Sequence, residues 1–341
     1  MERPQRLIVI GASAGGMPAL AALTAQLPRS LPAAVLVVQH LAPASDGQQL
    51  ADRMARHTGL TCRLAQHGDP LRPGHLYLAP ADHHLLVKDD HVLVTHGPHE
   101  NHYRPAADAL FRSAAVYHGP AVIGVVLTGM LHDGTAGLEF VKRCGGLAVV
   151  QDPAEAEFPS MPETALRNVA VDYVAPLGDL GALLQELVAT PAPHAGEPVP
   201  DDLKLEARIA ERIMGSTEEV GPLGSLSPLT CPDCGGTLWE MAHGQVLRYR
   251  CHTGHTFTAG ALLESSQHQL EETLWVALRM MEERKNLLTG LAVRGEGTFA
   301  VQQEERLNEL KTHVERLREF MLTTTGGGRP GAGTGAAARI A

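Results

Sequence analysis

The sequence predicts an α/β fold. It reads as a mostly parallel, doubly wound sheet with an antiparallel hairpin, then a small zinc-ribbon-like unit and a C-terminal helical hairpin. Three observations predict it. Residues 6 to about 189 alternate short apolar runs with helical periodicity, the pattern of parallel strands covered on both faces. A Cys-x-x-Cys pair with glycines behind it opens a cysteine- and histidine-bearing stretch at residues 229–260. Within 261–322, two segments repeat apolar residues mostly at intervals of three, four or seven.

Strands are expected at Leu7–Ile10, Val35–Val38, Leu76–Leu78, Val122–Leu127 and Ala148–Val150. Helical patterns follow at Pro18–Leu27, Gln48–His57, Ala106–Tyr117, Gly134–Cys144 and Asp179–Val188. Leu85–Val87, the polar Lys88-Asp89-Asp90 and Val92–Val94 read as an antiparallel hairpin attached to the sheet. Residues 191–228 are proline-rich and read as a linker holding one short helical patch, Leu203 to Met214. In the segment 261–322, Leu263, Leu270, Leu274, Leu278 and Met281 mark one helix. Val301, Leu307, Leu310, Val314, Leu317 and Met321 mark a second, with Gly290, Gly295 and Gly297 between them. The Gly/Ala/Thr-rich tail, 323–341, reads as disordered.

Composition narrows the function. With 44% hydrophobic residues in 341, the chain has enough apolar mass for a good-sized domain and a smaller one. Only 4% of residues are aromatic and the formal charge is -10, so neither a base-stacking platform nor a general nucleic-acid or anionic-membrane binder is expected. Arg248 and Arg250 beside Cys251 are the one hint of a nucleic-acid module. No run approaches a membrane span. Arg3 and Arg6 precede an apolar run of four residues, too short for a secretory core, so the start reads as a strand and the protein as cytoplasmic.

The candidate chemistry lies at strand ends, where open α/β sheets bind ligands. Ser13 follows the first strand in Gly11-Ala12-Ser13-Ala14-Gly15-Gly16, just before a helix whose N-terminus favours developing negative charge. A dinucleotide loop is the rival reading. Ser13 takes its middle glycine position, and the second strand ends in Gln39-His40, not in an acid. His40 ends the second strand, and Asp133 lies in Thr128–Gly134 after the Val122–Leu127 strand. Nucleophile, base and orienting carboxylate thus share one edge. Each also has a structural reading: His40 as a strand cap, Asp133 as an N-cap of the helix that follows it.

These motifs resemble the chemotaxis receptor-glutamate methylesterases of CheB type. Gly11–Gly16 is similar to the family's nucleophile turn, Val38-Gln39-His40 to its histidine strand, and Leu127–Met130 with Asp133-Gly134 to its aspartate loop. Supporting matches are Pro73-Gly74 with Tyr77–Pro80, Tyr103–Asp108 with Leu110-Phe111, and Gln151-Asp152 with Met161-Pro162. The resemblance implies a Ser13, His40 and Asp133 triad, with the Met130 N–H binding the oxyanion. It implies hydrolysis of γ-glutamyl methyl esters on chemoreceptor helices with release of methanol, glutamine deamidation by the same route, and no cofactor for catalysis. Three departures stand out. The esterase is expected to stand alone, without the usual receiver domain in front. Ala14 replaces a residue that often bears a hydroxyl, and Leu131-His132 replace a Gly-Asn type pair. Arg104 reads equally as an arginine that steers an acidic receptor segment or as a structural salt bridge. Met130, Ala14 and Arg104 are therefore the candidates for oxyanion or substrate contact. His132 reads as a surface loop residue, and His96-x-x-His99-x-x-His102 as an exposed histidine-rich loop.

Cys231, Cys234, Cys251 and His255 have the spacing of a closed Cys3His zinc site, with His252 as the alternative fourth ligand. A closed site is structural, and a unit of this size needs such a staple. Cys62 and Cys144 read as buried and inert. An alternative to the enzyme is a weakly active or inactive signalling scaffold that binds a partner through its C-terminal helices.

Overall fold

The first strand, β1 (Arg6–Ala12), is buried along its whole length and lies in the middle of a seven-stranded sheet. The computed structural model describes residues 4–192, 198–212, 216–294 and 297–325. Helix α1 (Gly16–Ala25) leads to β2 (Ala33–Gln39), and α2 (Gly47–Ala55) leads to β3 (Thr61–Leu64) and β4 (His75–Leu78). The hairpin β5 (His84–Lys88) and β6 (His91–Thr95) forms its own antiparallel pair. Then follow α3 (Ala107–His118), β7 (Val122–Val126), α4 (Thr135–Arg143), β8 (Leu147–Gln151), α5 (Ser160–Asn168), β9 (Tyr173–Ala175) and α6 (Leu177–Ala189).

All pairings in the large sheet are parallel, in the order β3-β4-β2-β1-β7-β8-β9. β2 and β7 flank β1 on opposite sides, so the winding reverses beside β1 and opens a crevice at its carboxyl end. Alternate residues of β1 serve two cores. Leu7 and Val9 pack with Leu110, Phe111 and Phe140 on one face, while Ile8 and Ile10 pack with Leu20, Leu23 and Leu184 on the other. That two-sided burial explains the continuous apolar runs.

Helix α7 (Asp201–Arg212) is followed by the short α8 (Thr217–Val220), which begins with a capping box between Ser216 and Glu219. A four-stranded antiparallel sheet follows: β10 (Gly224–Thr230), β11 (Thr237–Met241), β12 (Arg248–Cys251) and β13 (Thr256–Thr258). The compact unit that holds the large sheet runs from Met1 to Leu263. The stretch expected as a linker therefore contributes α7 and β10 to that unit, and the break falls after residue 263 instead of at 190, 228 or 260.

The second unit, Glu264–Ala341, contains most of α9 (Ala259–Arg294) and all of α10 (Gly297–Thr325). Arg318 of α10 donates to Glu282 of α9 at 2.7 Å, as a helical hairpin requires. Residues 326–341, Gly295 and Met214 lie outside the described residues, and with them most of the expected tail. No described helix is long and apolar enough to cross a membrane.

Candidate functional site

The turn after β1 holds Ser13 at the sheet edge. Gly16 N–H donates to Ser13 O (2.9 Å), and Gly15 sits at φ +68°, where a side chain would be strained and its Cβ would meet Glu157. Gln39, the last residue of β2, donates to Ser13 O at 2.8 Å and to His40 O at 3.1 Å, locking the two strand ends together. Thr128 closes the other side. Its carbonyl accepts from Ser13 N–H (3.1 Å), and its own N–H donates to Gln151 Oε1 (2.8 Å).

Ser13, His40 and Asp133 meet. His40 Nδ1 lies 3.0 Å from Ser13 Oγ, and His40 Nε2 lies 2.7 Å from Asp133 Oδ2. With the ring N–H on Nε2 it donates to the carboxylate, and Nδ1 is free to accept the serine O–H. Asp133 is wholly buried and also accepts the N–H groups of Ala107 (2.6 Å) and Asp108 (3.1 Å), the first turn of α3. The N-cap reading of Asp133 was thus half right in chemistry and wrong in place: it caps α3, a helix that offers no side-chain cap of its own, and not α4.

Sequence reasoning gave no role to three neighbours. Tyr103 stacks on His40, with ring centroids 3.6 Å apart and planes 11° from parallel. Asp108 accepts from Gly137 N–H (2.6 Å) and Asn101 Nδ2 (2.8 Å). Burial, with the charge of Asp133 next to it, holds the Asp108 carboxyl well above the usual range. Only Tyr103 and Asp108 carried any signal, as members of the family-like run Tyr103–Asp108.

Among the described residues, neither the Ala14 nor the Met130 N–H has a protein acceptor. Met130 is half exposed, and Leu131 behind it has φ 71°, held by Ser160 Oγ on its N–H (2.8 Å). Gly129 fits tightly: a Cβ there would lie 2.9 Å from Ser13 Cβ and 2.1 Å from Met161 Sδ. Arg104 is committed elsewhere. Its Nε and Nη2 donate to Asp82 Oδ1 (2.9 and 2.6 Å) and its Nη1 to Gly97 O (2.8 Å), which is the salt-bridge alternative. His132 is half-buried and packs where α9 starts, close to Gly260. A cleft of about 450 Å³ opens there, lined by His132, Thr164, Arg167, Asn168, Val246 and Leu247 among others.

The four cysteine and histidine ligand atoms of Cys231, Cys234, Cys251 and His255 lie within 4.8 Å of one another. Cys234 and Cys251 sulfurs are 3.8 Å apart, and His255 Nδ1 is 3.7 and 3.5 Å from the sulfurs of Cys231 and Cys251. A zinc tetrahedron with ordinary bond lengths has edges of about 3.8 Å between sulfurs and about 3.6 Å between sulfur and nitrogen. The donor set therefore fits such an ion. His252 instead lies against Gly236. Hydrogen bonding with Cys251 pushes His255 up to about 9, and the hydrogen bond between Cys231 and Cys251 draws the Cys251 thiol down while raising that of Cys231, so the thiolate is favoured at Cys251. His255 Nε2 faces Asp233 at 3.9 Å. The His96–His102 stretch is not simply exposed: His99 joins Asp233 and His255 in a second group. Cys62 and Cys144 are half-buried, not buried, and burial raises each thiol to about 11.

Arg248 and Arg250 point inward and are almost wholly buried. Glu206 of α7 accepts both Nη groups of Arg248 at 2.9 Å and has Arg250 Nη1 at 3.7 Å and Arg112 Nη1 at 3.9 Å; Arg112 also pairs with Glu100. These pairs tie α7 and β12 to α3, the helix that Asp133 caps.

The CheB methylesterase family profile matches residues 8–184. A protein-glutamate methylesterase/protein-glutamine glutaminase of Anaeromyxobacter dehalogenans (strain 2CP-C) is 40% identical over 181 residues, 53% of each chain. One from Xanthomonas campestris pv. campestris is 41% identical over 176 residues, 50% of this chain and 49% of its own. The crystal structure of the Thermotoga maritima CheB methylesterase catalytic domain is 34% identical with a TM-score of 0.51, covering 53% of this chain and 98% of that one. The chain spans about half the length of the curated relatives it matches.

Proposed function

The chain belongs to the CheB methylesterase family, and on that premise we propose that it is a serine hydrolase acting on glutamate γ-methyl esters of chemoreceptor cytoplasmic helices. The observation that carries this reading is the pair of contacts at His40, 3.0 Å to Ser13 Oγ and 2.7 Å to Asp133. Ser13 Oγ attacks the ester carbonyl while His40 Nδ1 takes the hydroxyl proton. The oxyanion lies on the N–H groups of Met130 and Ala14, each such donor contributing about 3 kcal/mol in comparable sites. Methanol leaves with the proton from His40, and Ser13 holds the acyl group. Water then attacks, gives a proton to His40, and the glutamate carboxylate departs as Ser13 regains its proton. Asp133 holds the ring in the required tautomer and balances its transient charge. A glutamine side chain follows the same path with ammonia leaving.

Cys231, Cys234, Cys251 and His255 are proposed to hold a structural zinc ion. It would staple residues 231–258 and take no part in bond cleavage.

A second reading, docking of a signalling partner on the C-terminal helices, is favoured by the exposure of Leu270, Trp275, Met280 and Leu287 along α9. It is compatible with the enzyme.

Methanol release from methylated receptor fragments tests the main reading. The intact chain should release it and Ser13→Ala should not. Full release by Ser13→Ala would overturn the mechanism.

A further inference from the structure

Residues 99–104 touch both the triad and the thiol–imidazole cluster. On one side Tyr103 lies flat on His40, at 3.6 Å and 11°. A ring stacked this closely leaves the imidazole one plane, the plane in which its two nitrogens reach Ser13 and Asp133. Ala14, next to the nucleophile, has no hydroxyl to do the same.

On the other side the segment is gripped by the cysteine-bearing unit. Asn101 N–H donates to Thr256 O (2.8 Å), and Asn101 Oδ1 accepts from Thr258 N–H (2.8 Å). His102 Nδ1 lies 3.3 Å from Asp233, and its ring lies 5.0 Å from that of Phe257. His99 is parallel to His255 at 6.5 Å. Asp233 sits between two ligand cysteines in sequence, Phe257 follows His255 by two residues, and His255 is itself a ligand candidate. Asn101 and His102 have φ 49° and 70°, the left-handed values of the two central residues of a tight turn that Glu100 and Tyr103 close with mutual backbone hydrogen bonds of 3.2 and 2.9 Å. Contacts with β13 and the cysteine turn anchor that turn in place. Asn101 also passes its hold inward: its Nδ2 donates to Asp108, whose N–H donates to Asp133.

We infer that Tyr103 is a positioning residue for His40, and that a metal ion at Cys231, Cys234, Cys251 and His255 holds it there, so that metal occupancy sets the turnover rate. The inference rests on the esterase reading for its consequence in rate, but not for its geometry. Loss of the ion loosens the cysteine turn and β13. The Glu100–Tyr103 turn then loses its anchors at Thr256, Thr258 and Asp233, and Tyr103 leaves the His40 ring. The substrate surface is untouched, so the effect falls on kcat and not on KM.

The test uses the full chain, zinc-loaded and after chelation, as wild type, Tyr103→Phe and Tyr103→Ala. Proton NMR of the His40 Cε1–H, assigned by its loss in His40→Gln, reads the stack without turnover. The stacked ring shields this proton. Wild type and Tyr103→Phe should show an upfield signal when loaded, which moves downfield on chelation; in Tyr103→Ala it should lie downfield throughout. In methanol release, Tyr103→Phe should keep its rate, while Tyr103→Ala and the chelated wild type should each lose roughly tenfold to a hundredfold in kcat at unchanged KM. Chelation of Tyr103→Ala should cost little more. Far-UV circular dichroism confirms that the large sheet persists after chelation. A His40 signal indifferent to chelation, or additive losses in kcat, would overturn the inference. Signals that move as stated without any methanol release would keep the positioning role and remove the esterase reading instead.

Discussion

Replacing Glu206 with glutamine should destabilise the chain by about 3–5 kcal/mol, the usual cost of breaking a buried ion pair from one side. Glu206 is 1% exposed and its carboxylate takes both Nη groups of Arg248 at 2.9 Å, with Arg250 and Arg112 at 3.7 and 3.9 Å. The Nε atoms of all three arginines already find no acceptor among the described residues, so no spare carboxylate stands ready to compensate. Burial alone would raise the Glu206 carboxyl. The charge and hydrogen bonds of Arg248, then Arg112 and Arg250, bring it from 4.5 down to about 2. That drop corresponds to about 3 kcal/mol, which agrees with the mutational figure. The sign follows from the depressed folded-state value: the stabilisation is complete above about pH 4.5 and fades as the pH falls toward 2. Urea unfolding followed by far-UV circular dichroism, on zinc-loaded samples across pH 3 to 8, reads both effects. Glu206→Gln should lower the midpoint at pH 7 with an unchanged slope, and should flatten the acid limb. A loss under about 1 kcal/mol, or an acid limb as steep as wild type, would show that Glu206 carries no such stabilisation.

Other outcomes follow from the site. Asp133→Asn should lower kcat about 10³–10⁴-fold in methanol release, because an amide cannot accept from both the Nε2 of His40 and the N–H groups of Ala107 and Asp108. Gly129→Ala should lower kcat at least about tenfold, since its Cβ would press on Met161 Sδ and Ser13 Cβ. Gly68→Ala has open space around it and should cost only about 1–2 kcal/mol of left-handed strain, seen in unfolding and not in turnover. Elemental analysis should find one zinc per chain, retained by His252→Ala and lost from Cys234→Ala.

The strand-end rule singled out Ser13, His40 and Asp133, which the fold brings together, because the apolar centres of β1, β2 and β7 let their ends be read without knowing their order. The clustering of Cys231, Cys234 and Cys251 was legible from spacing alone, and the structure groups His255, not His252, with them. What stayed hidden had no period to read. β3 is a four-residue edge strand with no fully buried position, and β9 exposes Tyr173 and Val174, so neither carries a continuous apolar run. α5 carries Pro162 in its first turn, which masks its helical pattern. Asn101 and Tyr103 sit in a loop whose role exists only through contacts with residues far along the chain. Arg248 and Arg250 look like a cationic surface in sequence. Only the buried Glu206, from a stretch that reads as a linker, turns them inward.

In the proposed mechanism Ser13 and His40 act as one unit. Methanol release at saturating methylated receptor, from Ser13→Ala, His40→Ala and the double variant, tests it most directly. If they share one mechanism, each single variant loses at least about 10³-fold in kcat and the double variant loses no more than the worse single. Losses that multiply in the double variant, or a Ser13→Ala chain that still turns over, would contradict it.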